Sequence, residues 1–128
     1  MPKQNCHREL SRYIRTCIPY SCKLNEKTED YAHILGVKDG QCAYRLDAKP
    51  TRINCAFPKE MLEPLSDEFK QQAWIEELGP VKKSRVVYKI DHKKGTREKI
   101  GQIYIGGLWL EPSHVLHDAK VAGMCQPF

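Results

Sequence analysis

Six cysteines, Cys6, Cys17, Cys22, Cys42, Cys55 and Cys125, constrain this 128-residue chain more than any other feature. An even number in so short a chain is the signature of a disulfide framework formed in an oxidising compartment. The alternatives are a reduced protein with buried thiols and a structural zinc site. Zinc and redox motifs need closely spaced ligand pairs, yet no C-x-x-C or C-x-x-H occurs, and the tightest pair, in CIPYSC, has four residues between Cys17 and Cys22. Fifteen pairings of six cysteines are open. The preferred one joins Cys6 to Cys125, tying the termini, and leaves the other four to form two bridges among themselves. By chain entropy, a bridge closing that terminal loop contributes about 4 to 5 kcal/mol.

Length and composition suit a single domain spanning residues 1–128, because 41% apolar and 29% charged residues are ordinary for a globular protein. No apolar run is long enough to span a membrane. Met1 is followed by Pro2, Lys3 and Gln4 where a signal peptide would have its apolar core. That leaves a cytosolic protein or the mature part of an exported one, and the cysteines favour export to the periplasm or beyond.

Hydrophobic periodicity predicts an α+β fold. Asn5 suits the cap of a first helix whose face carries Cys6, Leu10, Tyr13, Ile14 and Cys17. Pro19 turns the chain away into a polar loop over Lys23 to Asp30. YAHILGVK, Asp39-Gly40 and QCAYRLD read as a hairpin with a type I′ turn, which sets Lys38 opposite Gln41. Counting outward, Val37 opposes Cys42, Leu35 opposes Tyr44 and His33 opposes Leu46, all on one face. A turn at Ala48 to Pro50 leads to TRINCAF, which completes a three-stranded meander and sets Cys42 opposite Cys55. After Pro58 the period lengthens, and Met61, Leu62, Leu65, Phe69, Ala73 and Trp74 mark a helix that covers the meander and stops at Gly79-Pro80. RVVYKID and REKIGQIYIGG form a second hairpin, with a bulge expected at Gly101, before a short helix that starts near Pro112 and ends at Gly123.

The run C-x-P-Y-x-C at Cys17 to Cys22, G-x-C-x-Y at Gly40 to Tyr44, and Cys55 with Phe57 before a helix resemble small exported cysteine-containing domains of Gram-negative bacteria, some of them encoded alongside secretion systems. The resemblance covers about Cys17 to Leu78. It implies export and brings no catalytic residues.

Candidate chemistry is sparse. His114, His117 and Asp118 share a helical surface and are weak candidates for a metal site, since the Glu of H-E-x-x-H is missing. His33 reads as a half-buried core histidine. Without a nucleophile elbow, a phosphate loop or a dinucleotide fingerprint, the chain reads as non-enzymatic and without a cofactor. Charge is the remaining signal: Lys82, Lys83, Arg85, Lys89, Lys93, Lys94, Arg97 and Lys99 crowd the second hairpin, with Tyr88 and Tyr104 close by. The plainer reading is protection of a sheet edge against aggregation. If the chain has a contact surface, this ribbon is where it is expected, with an acidic protein or other anionic surface as partner and nucleic acid less favoured. The expected function is thus an exported binding or accessory module tied to an envelope or secretion system; a small metal protein or enzyme is the alternative.

Overall fold

The computed structural model describes residues 5–78, 83–105 and 107–128. The fold is α+β, with three α-helices among the described residues and antiparallel sheets. It divides into two compact units, Met1–Ala73 with His114–Phe128 and Trp74–Ser113.

The first unit opens with helix α1, Cys6–Ile14, capped by Asn5, whose side chain accepts from the backbone N–H of Arg8 at 3.3 Å. Leu10 and Ile14 on its inner face are fully buried. Cys17 then takes φ +52°, ending the helical path. In place of the expected turn into the loop over Lys23 to Asp30, the chain forms strand β1, Tyr20–Lys23. Its alternation of half-buried Tyr20 and Cys22 with exposed Ser21 and Lys23 is a strand pattern too short to stand out in the sequence.

Strands β2 (Tyr31–Lys38), β3 (Gln41–Ala48) and β4 (Thr51–Phe57) form the expected meander. Asp39 and Gly40 both have positive φ, as a type I′ turn requires, and Val37 faces Cys42 as counted. Beyond Gly36 the count fails. A bulge between Ile34 and Gly36 sets Ile34 opposite Tyr44, Ala32 opposite Leu46 and His33 opposite Arg45. Gly36 has φ +102°, and a Cβ there would lie 3.2 Å from the Pro19 ring, so the bulge needs glycine. Leu35 and His33 therefore leave the core face, which Ala32 and Ile34 take over. The second turn is also tighter than counted: Ala48 pairs with Thr51, placing Cys42 opposite Phe57 and Tyr44 opposite Cys55.

The sheet is wider than the meander. Its order is β1-β2-β3-β4-β8, where strand β8, Cys125–Pro127, pairs with β4. A single 3-10 turn at Lys59–Met61 leads into helix α2, Leu62–Leu78, whose Leu62, Leu65, Phe69 and Ala73 recur every three or four residues and are buried. Leu62, Leu65 and Phe69 join the sheet's inner side chains in one core, where the Tyr44 ring lies 5.9 Å from both Phe57 and Phe69. Burial, reinforced by the charge of Glu68, raises the Tyr44 hydroxyl above its ordinary value, so it stays protonated. The expected helix stop, Gly79-Pro80, lies outside the described residues.

Helix α3, Val115–Val121, follows Pro112 and Ser113, and Gly123 at φ +82° ends it as expected. Its Ala119 is buried, and the N–H of Leu116 donates to Glu68 Oε2 at 3.0 Å. All six cysteines are bridged. The pairs are Cys6–Cys22, Cys17–Cys42 and Cys55–Cys125, not Cys6–Cys125. The preference for a bridge between the termini fails because β8 places Cys125 directly opposite Cys55, 4.0 Å apart at Cα, while β1 carries Cys22 back to the start of α1.

In the second unit, β5 (Ser84–Asp91) and β6 (Thr96–Ile105) form the predicted hairpin. A third strand, β7 (Leu108–Leu110), extends it. Pairing runs unbroken past Val86 and Gly101, so the expected bulge is absent there and lies instead in β2.

Candidate contact surface

Register decides where the cations of the second unit point. In a strand, alternate residues face opposite sides, so Lys83, Arg85 and Lys89 belong to one side and Arg97 and Lys99, opposite Ile90 and Tyr88, to the other. The ribbon is therefore basic on both sides. Lys93 and Lys94 sit in the turn, where their backbone N–H groups donate to Asp91 Oδ1 at 2.9 and 3.3 Å. Lys82 lies outside the described residues.

The side bearing Arg85 is built around aromatic rings. Tyr104 and Trp109 pair across β6 and β7, edge to face with centroids 5.2 Å apart. The Arg85 guanidinium lies 4.2 Å from the Trp109 centroid, and its Nε donates to Gln102 Oε1 at 2.7 Å. Lys83 Nζ lies 5.2 Å from the Tyr104 ring. A cation over an aromatic face is held by the ring quadrupole, worth roughly 0.5–1 kcal/mol at exposed sites. On the other side Arg97 covers Tyr88 at 4.4 Å, beside Val86 and Ile90, which are 50% and 58% exposed. Each side of the sheet thus presents cations over aromatic rings, and the Arg97 side adds uncovered apolar side chains.

The metal candidates are not assembled. His114 caps α3 through its carbonyl, which accepts from Asp118 N at 2.9 Å, and His117 and Asp118 are exposed on the helix. Among the described residues no three His, Cys, Asp or Glu side chains are grouped to hold a metal ion. His33 lies on the outer face of the five-stranded sheet, not in the core, with its Nδ1 2.7 Å from Ser21 Oγ. That outer face carries a row of polar side chains that no sequence motif marks; the period-two alternation of the strands, together with their register, is the signal that reveals it. Among the described residues no helix is long and apolar enough to cross a membrane. Comparison with protein-family models, curated proteins and solved structures finds no match to this chain.

Proposed function

We propose that the chain is a non-enzymatic binding or accessory module of an oxidising compartment, periplasmic or extracellular, in a bacterial envelope or secretion system, and that its three-stranded sheet docks an acidic protein surface. The carrying observation is that each side of the sheet holds exposed cations over aromatic rings: Arg85 on half-buried Trp109 and Lys83 on Tyr104 on one side, Arg97 on Tyr88 on the other. Arg, Trp and Tyr are the residue types that anchor protein interfaces, and on the Arg97 side uncovered Val86 and Ile90 add the apolar area such a contact removes from water. Three disulfides, with no free cysteine, support the compartment.

The test compares the whole chain with a Lys83→Ser/Arg85→Ser/Arg97→Ser variant in titrations against polyglutamate, anionic vesicles and single-stranded DNA at two salt concentrations. Polyglutamate binding should weaken with salt and drop in the variant, while the fold is retained. Failure of the wild type to bind polyglutamate, equal binding by the variant, or tighter binding of vesicles or DNA would overturn the reading.

A further inference from the structure

The outer face of the five-stranded sheet is organised around one row. Ser21, His33, Arg45, Asn54 and Gln126 are cross-strand neighbours on β1, β2, β3, β4 and β8. Neighbours in the row bond to one another: His33 Nδ1 lies 2.7 Å from Ser21 Oγ, and Arg45 Nε donates to Asn54 Oδ1 at 2.7 Å. The planar groups are therefore held in place before any ligand arrives, and the Arg45 terminal amines, the His33 Nε2 and the Asn54 amide N–H groups remain as further hydrogen-bonding positions.

Charge on this face is unevenly balanced. Lys23 lies 3.6 Å from Glu29, and Arg52 Nε lies 2.9 Å from Asp47 Oδ1. Among the described residues no carboxylate pairs with Arg45, whose Nε partner is a neutral amide. Arg45 and Arg52 nevertheless converge, each guanidinium 4.7 Å from the Phe128 ring. Two like charges over one ring, one of them without an acid, are electrostatically complementary to an added anion.

The rings argue about the rest of the ligand. Nucleobases bind sheet faces by stacking on open aromatic rings. Here Phe128 is faced by two guanidiniums, and Tyr31 is stacked on His33 at 6.1 Å with Lys23 Nζ 6.0 Å from its centroid. What remains exposed is a flat array of hydrogen-bonding edges, suited to a polyhydroxylated chain that carries negative charge.

We propose that this outer face binds an acidic saccharide chain, with Arg45 taking the carboxylate or sulfate and His33 and Asn54 hydrogen-bonding the sugar hydroxyls. The site is independent of the basic three-stranded sheet, so the two are tested separately. The whole chain is titrated with a heparin-derived octasaccharide, an oligogalacturonate, neutral dextran and oligo-dT, using wild type, Arg45→Gln, Arg45→Lys and the Lys83→Ser/Arg85→Ser/Arg97→Ser variant, each checked for an unchanged melting temperature. At least one acidic saccharide should bind more tightly than dextran and oligo-dT. Arg45→Gln should weaken that binding about tenfold or more, the loss expected when a charged hydrogen-bonding partner is removed. Arg45→Lys should fall between the two, and Arg45→Gln should cause the same fold loss in the background of the basic-sheet variant as in wild type. No acidic saccharide binding, dextran binding as tightly, oligo-dT binding more tightly, an unaffected Arg45→Gln, or loss of the Arg45→Gln effect in the basic-sheet background would each overturn the proposal.

Discussion

Ser11 and Ser66 lock α1 to α2 by a reciprocal exchange: Ser11 Oγ donates to the Ser66 carbonyl at 2.7 Å, and Ser66 Oγ donates to the Ser11 carbonyl at 2.6 Å. Both residues are buried. Each hydroxyl meets a carbonyl that helix geometry leaves with a spare lone pair, so two polar side chains enter the core without an unmet group.

Removing one side of that exchange should be costly. Ser66→Ala removes a donor to the Ser11 carbonyl and the hydroxyl that Arg15 also approaches, at 3.4 Å. The expected loss is about 1–3 kcal/mol, measured by urea unfolding. Ser66→Leu should lose more, because the site, 1% exposed, has no room for an isobutyl group. A Ser66→Leu protein as stable as wild type would show that the helices do not meet there.

The bridges predict a mass and a ranking. Intact protein should gain six hydrogens on reduction, and alkylation without reduction should find no thiol. Replacing both members of Cys55–Cys125, separated by 70 residues, should lower stability by about 4 kcal/mol, against about 3 for Cys6–Cys22, separated by 16. Cys22→Ser should in turn lower the melting temperature more than His117→Ala, an exposed change expected within about half a kcal/mol. Equal melting temperatures for that pair would count against a stapled α1–β1 corner.

Two glycines on β2 and its turn should respond unequally. Gly40→Ala meets no atom within 4 Å and loses only backbone ease at φ +77°, about 1–2 kcal/mol. Gly36→Ala adds a contact at 3.2 Å with Pro19 to a φ of +102° and should lose more. Thermal unfolding of the two variants gives the order directly.

Tyr44 should make the protein sensitive to alkali. Its folded pKa is raised by burial and then by Glu68, above the unfolded value of about 10. The protonated form is therefore favoured in the fold, and its contribution is complete below pH about 10 and lost as pH rises above that. Tyr44→Phe should flatten this decline in stability measured between about pH 9 and 11; an unchanged slope would contradict a buried phenol.

The sequence made some elements legible and hid others for identifiable reasons. Asp39-Gly40 named its own turn, and the spacing of Leu62, Leu65, Phe69 and Ala73 announced a covering helix. The bulge at Leu35 left no trace in composition, because Gly36 signals it only once Pro19 is known to lie against it. Strands of three or four residues, β1, β7 and β8, are shorter than any period that could reveal them. Two of the three bridges depend on those strands, which is why the pairing could not be read. The basic run was visible as a cluster, but its division between two sides of a sheet needed the register. The polar row was invisible for the opposite reason: its members come from five separate strands and meet only across them.

Every cysteine lies in the unit formed by Met1–Ala73 and His114–Phe128, and none in Trp74–Ser113. A change of redox environment therefore acts on the chain regionally. A reductant would remove the covalent ties of α1, β1 and β8 and leave them to hydrogen bonds and packing, while the hydrogen-bonded ladder of β5, β6 and β7 contains no disulfide for it to attack. A cell carrying this chain through a reducing space would hold a protein with every bridge of one unit still to be made and none to make in the other.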